Sequence, residues 1–138
     1  MDASLNDHVR ITIHDGPLET LTGQSAKGAS NLPAGTGAAV CFEGIVRPME
    51  AGVAIAGLDY EVYDPMATQQ LETLATELIA SHGLLGVKVE HSRGHLPVGA
   101  CSFRLRIFAA HRKEALAAMD EFIDRMKRDV PIWKAVAG

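Results

Sequence analysis

The sequence predicts an α+β fold: a mainly antiparallel sheet with two main helices. Three observations carry this. Several short runs alternate apolar and polar residues, the period of a strand. Two longer segments repeat apolar residues every three or four positions, the period of a helix. The order is strand, loop, strand pair, helix, strand pair, helix. Strands that come in pairs, with helices between the pairs, favour antiparallel pairing over a doubly wound parallel sheet.

Val9, Ile11 and Ile13 alternate with polar residues, so 8–14 reads as the first strand, closed by the turn Asp15-Gly16-Pro17. Residues 18–27 are weakly helical at best. Residues 28–37 (GASNLPAGTG) are rich in Gly, Pro, Ser and Asn and read as a loop. Residues 38–47 (AAVCFEGIVR) form a strand, in which Gly44 marks a bulge or a close backbone approach. A turn at 49–52 leads into 53–63, the second strand of that pair. Asp64 is placed as N-cap and Pro65 at the first helical position of a helix that runs to about Ser81, with Gly83 as its C-terminal stop. Met66, Leu71, Leu74, Leu78 and Ile79 make its apolar stripe. Residues 84–92 are a strand and 94–99 a turn. In 100–109, Cys101, Phe103, Leu105 and Ile107 face one way and Ser102, Arg104 and Arg106 the other. Residues 110–134 read as one long amphipathic helix stopped at Pro131, with Leu116, Met119, Ile123, Met126 and Val130 on its apolar face.

At 138 residues the chain is expected to be one domain, 1–138, able to bury a core without staples. Its composition, 47% apolar and 22% charged, is that of a globular protein. The net charge of −4 argues against a nucleic-acid binder held by bulk electrostatics, yet permits a local basic pocket. Residues 1–10 are polar and unlike a secretory leader, and no apolar run is long enough to span a membrane. The two cysteines, Cys41 and Cys101, lie in strand-like runs and are expected to be buried structural thiols. A cytoplasmic location fits them.

Motifs for nucleotide, zinc or redox chemistry are absent: no P-loop, GxGxxG, HExxH or CxxC. No cofactor or metal is expected. His91 and His95 bracket a Gly-containing turn with no Cys or carboxylate cluster beside them. Asp59 and Glu61 share a strand face and read as solvated, while Asp64 has its capping role. The basic residues are more informative. His111 and Arg112 sit at the start of the last helix, where free N–H groups and the positive dipole end attract an anion. Lys127 and Lys134 sit at its far end, and Arg47 closes the second strand. Arginine offers a planar fork for phosphate or carboxylate, and a crowded or buried lysine becomes a base or nucleophile. Together they indicate a pocket for a phosphorylated metabolite.

The segments Phe42-Glu43-Gly44-Ile45-Val46-Arg47, 58–66 (LDYEVYDPM), 93–99 (RGHLPVG), Ala110-His111-Arg112, and Lys127 followed by Pro131-Ile132-Trp133-Lys134 occur in family-like order and spacing. On them the chain, from about Ala38 to Lys134, resembles the large, catalytic subunits of molybdopterin synthase. The resemblance implies an α+β fold with a hammerhead-type motif. It implies a heterotetramer, in which two large subunits form a central homodimer and a small ubiquitin-like sulfur carrier docks at each end. The carrier's thiocarboxylated C-terminal glycine would deliver sulfur to cyclic pyranopterin monophosphate, in two rounds, to give molybdopterin. Residue by residue, Lys127 and Lys134 match the family's essential pocket lysines. Arg47, His111 and Arg112 match its substrate-binding positions, and Ile45, Val46, Ala135 and Val136 match neighbouring pocket backbone. Pro48 and the end of the sequence at Gly138 depart from the family pattern. They define the alternative: a non-catalytic homologue that binds a ubiquitin-like carrier tail or a phosphorylated metabolite.

One geometric expectation comes from the last helix. Arg112 and Lys127 are fifteen residues apart, about 22 Å along a continuous helix at 1.5 Å per residue. Long side chains do not close that gap. The expected answer is a two-fold homodimer whose sites each straddle the subunit boundary.

Overall fold

The structure, a computed structural model, describes residues 8–19 and 32–137. In chain order the described elements are β1 (Val9–Asp15), β2 (Ala38–Ile45), β3 (Met49–Glu50), β4 (Val53–Ala54), β5 (Gly57–Val62), α1 (Met66–His82), β6 (Gly86–Pro97), β7 (Cys101–Ala109), α2 (Arg112–Asp129) and β8 (Ile132–Ala137). The main sheet runs β2-β7-β6-β5-β8, and β1 lies beside β6. Among the described strands only β1 pairs in parallel, and the remaining ladders are antiparallel. The α+β class with two main helices is therefore the fold observed.

Strand β6 organises the sheet. Its residues 87–93 pair with β1 along one edge, and residues 94–97 then pair with β5 on that edge. Gly94, at φ 95°, stands at the handover, in a backbone region that glycine enters without a Cβ penalty. Both helices cover one face. Leu71, Leu74 and Leu78 of α1 and Met119, Phe122 and Met126 of α2 bury against Val87, Val89, Leu105 and Ile107. Burying such side chains stabilises the fold by roughly 1.5–3 kcal/mol each. A smaller cluster of Val46, Leu58 and Leu96 sits under the distal part of the sheet.

Most local signals act as expected. The start of α1 falls one residue later than expected: Pro65 is the N-cap and Met66 the first helical residue, while Asp64 Oδ1, one position before the cap, accepts from the Thr68 backbone N–H at 3.0 Å and from its hydroxyl at 2.7 Å. Gly83 adopts the left-handed conformation at its end, φ 70°, and its N–H donates to the Ile79 carbonyl. Gly44 lies where the β2–β7 register shifts, as a bulge requires. Residues 32–37 are a loop, with the Thr36 hydroxyl donating to the Pro33 carbonyl at 2.6 Å. The rest of the expected 28–37 loop, 28–31, and most of the weakly helical stretch, 20–27, lie outside the described residues.

Five further expectations are corrected. Residues 53–63 are not the hairpin partner of β2. A short hairpin, β3–β4, turns through Ala51 and Gly52, both at positive φ, and β5 then pairs with β6 and β8. Gly57 permits that pairing, since a Cβ there would lie 2.4 Å from the Leu96 carbonyl oxygen. The expected 94–99 turn begins later, because β6 continues to Pro97. The helix after Ala110 ends at Asp129: Val130 is already extended before Pro131, and the chain continues as β8 rather than as helix to Lys134. Met66 and Leu116 are exposed, and Ala67, Ala115, Ala118 and Phe122 take the buried positions. Cys41 is exposed while Cys101 is buried, because Cys41 points to the sheet face without helices. Among the described residues, no helix is long and apolar enough to cross a membrane.

Candidate functional site

Three elements converge at one end of the molecule. The last turn of α2 presents Lys127. The chain then reverses at Pro131 into β8, whose third residue, Lys134, lies opposite Tyr60 of β5. β2 ends at Ile45, and Arg47 leads into the β3–β4 hairpin, which carries Glu50. Between them is a cavity of about 680 Å³, and Ile45, Arg47, Lys127 and Lys134 all line it. Gly44, at the bulge, adds no side chain of its own to the lining.

Glu50 ties two of the cations together. Its Oε1 lies 3.1 Å from Lys134 Nζ and its Oε2 lies 3.6 Å from Arg47 Nη2. The Lys134 hydrogen bond and charge, with Arg47 adding to them, hold the Glu50 carboxyl below the usual carboxylate range. A carboxylate so placed lies between both long side chains at the cavity wall, and their remaining donors stay available to an anion.

The floor is aromatic and polar. The Tyr60 hydroxyl donates to Ser102 Oγ at 3.4 Å, and Ser102 Oγ donates to the Gly44 carbonyl at 3.3 Å. The His91 ring stands edge-on to Tyr60 at 5.2 Å and tilted to Phe103 at 5.7 Å. Burial pushes its pKa below the ordinary imidazole value, against the raising effect of its bond to the Ser92 carbonyl, 2.8 Å from Nδ1. His91 is thus neutral at pH 7, with Nδ1 as donor.

The remaining expected residues lie elsewhere. His111 and Arg112 are exposed at the opposite end of α2, which is continuous between Arg112 and Asp129, and neither lines the cavity. Glu114 Oε2 accepts from the His111 backbone N–H at 3.2 Å, so a carboxylate already occupies part of that helix N-terminus. Val46 is buried in the small cluster. Its N–H donates to the Ala100 carbonyl at 2.9 Å and its carbonyl accepts from Gly99 at 2.8 Å. Ala135 and Val136 are exposed on β8, outside the cavity lining. His95 Nδ1 lies 2.8 Å from Asp59 Oδ1 at the surface. Among the described residues, no group of three potential ligands could hold a metal.

Sequence reasoning missed Glu50, Tyr60, His91 and Ser102 as cavity residues. Glu50 reads as a turn residue, and the others sit in alternating runs where a site-facing residue looks like any strand residue. The cavity-facing side was not readable before the pairing of β5, β6 and β7 was known.

The arrangement can bind an anionic group against Arg47, Lys127 and Lys134, exclude water on an aromatic floor, and stabilise charge that develops there. A family model described as "MoaE protein" matches residues 18–129. The molybdopterin synthase catalytic subunit of Aspergillus niger is 34% identical over 131 residues, 95% of this chain and 69% of that protein. Against other relatives of that name, the chain spans only one third to one half of their length. Among solved structures, molybdopterin synthase from Staphylococcus aureus is 30% identical with a TM-score of 0.76, covering 94% of this chain and 90% of that one. A complex of subunits 1 and 2 of the molybdopterin-converting factor of Helicobacter pylori is 29% identical with a TM-score of 0.74, covering 91% and 83%.

Proposed function

The chain belongs to the MoaE protein family, and from that membership we propose that it is the catalytic subunit of a molybdopterin synthase. In this reading it is a sulfurtransferase of molybdenum cofactor biosynthesis. It moves sulfur from the thiocarboxylated C-terminus of a small ubiquitin-like subunit to cyclic pyranopterin monophosphate. The whole chain, 1–138, works as a single domain. The observation that carries the reading is the convergence of Arg47, Lys127 and Lys134, from three separate elements, on one cavity of about 680 Å³. Both reactants are anions, a thiocarboxylate and a phosphate ester. Two lysines and an arginine on one wall offset the repulsion between them and hold them in reacting distance. Lys127 and Lys134 are the proposed catalytic pair, and Arg47 and Ile45 contribute to substrate binding. The free thiols Cys41 and Cys101 support a reducing, cytoplasmic setting.

His111 and Arg112 belong to a site in this reading only if they come from a second copy. The continuous helix supports that, since it keeps them about 22 Å from Lys127 in one chain. Strand β2 is terminal in the sheet order and exposes Cys41, Phe42 and Ile45. Its first residue pairs with Ala109, close to His111, and Arg47 lies two residues past its last. Two copies joined antiparallel along β2 would bring the His111 end of one to the Arg47 end of the other. Such a homodimer, with a carrier docked on each half, is the proposed heterotetramer.

The test is reconstitution. The protein is mixed with thiocarboxylated small subunit and cyclic pyranopterin monophosphate, and molybdopterin is assayed. Product formation is the expected result. Carrier binding without product would replace this reading with that of a non-catalytic, carrier-binding homologue.

A further inference from the structure

We propose that the sheet face opposite the helices carries a second anion site: a cross-strand row, Arg10, Lys88 and Arg106, that takes the pyrophosphate group of a small ligand. The row follows from register. Arg10 of β1 lies opposite Lys88 of β6, and Lys88 lies opposite Arg106 of β7. Neighbouring strands stand about 4.8 Å apart, so three cations line up over roughly 10 Å. Like charges directly opposite one another destabilise a sheet.

The adjacent row shows what compensation looks like in this fold. There Thr12, Glu90, Arg104 and Glu43 face one another in order. Arg104 is paired at 2.8 Å with both Glu90 and Glu43, and also donates to the Glu19 carbonyl. In the cationic row, the closest carboxylate contact among the described residues is Arg106 Nη2 to Glu90 Oε1, at 3.8 Å. Lys88 Nζ instead stands 5.6 Å from the centre of the Phe108 ring. Burial, and then the charges of Arg106 and Arg10, hold Lys88 below the usual lysine range.

These three side chains line a cavity of about 700 Å³. It shares no lining residue with the Lys127–Lys134 cavity. Arg10 and Arg106 offer planar forks at the two ends of the row, with a point charge between them. A single phosphate spans one gap of the row, whereas two linked phosphoryl groups reach all three cations. Leu32, Pro33 and Leu85 form an apolar flank beside the row, suited to the organic part of a phosphorylated ligand. The inference does not depend on the sulfur-transfer reading.

Calorimetric titration of the full chain tests it, with inorganic phosphate, inorganic pyrophosphate and ADP as separate probes. Pyrophosphate is expected to bind one per chain, at least ~10-fold tighter than phosphate, and to weaken as salt rises. Lys88→Gln is expected to weaken it at least ~10-fold, the loss of one charge-assisted contact, while raising the unfolding temperature of the unliganded protein by removing the central like charge. Tighter binding of ADP than of pyrophosphate would mean that the apolar flank is used; equal binding would mean that the pyrophosphate group alone is recognised. Absence of pyrophosphate binding, or binding unchanged by Lys88→Gln and by Arg10→Gln/Arg106→Gln, overturns the proposal. So does loss of binding in Lys134→Gln alone, which would place the anion in the other cavity.

Discussion

Lys127 and Lys134 reach one cavity from two elements, both exposed, with Lys134 paired to Glu50 at 3.1 Å. Replacing either by Ala is expected to lower the sulfur-transfer rate on the order of 10²-fold or more, the scale of losing one transition-state charge contact. Folding should be unchanged, because both residues are exposed. Single-turnover assays beside circular dichroism would check this, and wild-type rates in both variants would remove the lysines from the mechanism. His91 gives a pH prediction. Its folded pKa is depressed by burial, so below the ordinary imidazole value of about 6.5 the unfolded chain binds a proton that the folded chain resists. Stability is fully present above that value and falls as pH drops toward the folded pKa, by up to ~1.4 kcal/mol per pH unit. Urea unfolding between pH 7 and 5 should show a shallower slope in His91→Phe than in the native protein.

Strand β7 is buried on both faces, and this is where an element's sequence pattern and its environment diverge. Cys101, Phe103, Leu105 and Ile107 face one way, as alternation indicates, but Ser102 and Arg104 on the other face are also buried. Arg104 is 1% exposed and holds Glu43 and Glu90 from the two flanking strands. It thereby links β2, β7 and β6 across their polar face. Arg104→Met is expected to cost about 3 kcal/mol, the low end for breaking a buried ion pair, because both carboxylates keep about a quarter of their surface in water. Chemical denaturation would measure it, and a cost under ~0.5 kcal/mol, the level of an ordinary surface change, would show that the pair contributes little. Helix α2 is the other informative element. Its unbroken length separates the two basic groups that the sequence places on it.

At the scale of the whole molecule, that separation sets the assembly prediction. If each active site uses Lys127 and Lys134 of one copy with His111 and Arg112 of the other, two inactive variants complement each other. Mixing Arg112→Ala protein with Lys127→Ala protein under conditions of subunit exchange should regenerate one intact site per mixed dimer and up to half the native activity. A mixture that stays inactive, although mass spectrometry shows mixed dimers, rules out the shared site. Size-exclusion chromatography of a β2 edge variant such as Cys41→Pro, at an exposed position, separately tests whether that strand joins the copies.

The sequence by itself determined what depends on local chemistry. Alternation at Val9, Ile11 and Ile13 and in 101–107 gave strands, and the three/four spacing at Leu71, Leu74 and Leu78 gave a helix. The Gly83 stop set the end of α1 and Gly44 marked the bulge, whereas the Asp64 signal fell one residue before the N-cap, Pro65. The order of paired strands and helices was enough for the α+β class, and Arg47, Lys127 and Lys134 were legible as a basic set. Pairing was decided only in three dimensions. Nothing local in 53–63 says that β5 joins β6 and β8 rather than β2, because one alternating run satisfies any neighbouring edge of matching register. Residues after Pro131 looked like a helix tail until β8 found the β5 edge. The cavity residues Glu50, Tyr60, His91 and Ser102 became a site only when strands distant in sequence were brought together, since a side chain's surroundings depend on which strands flank it.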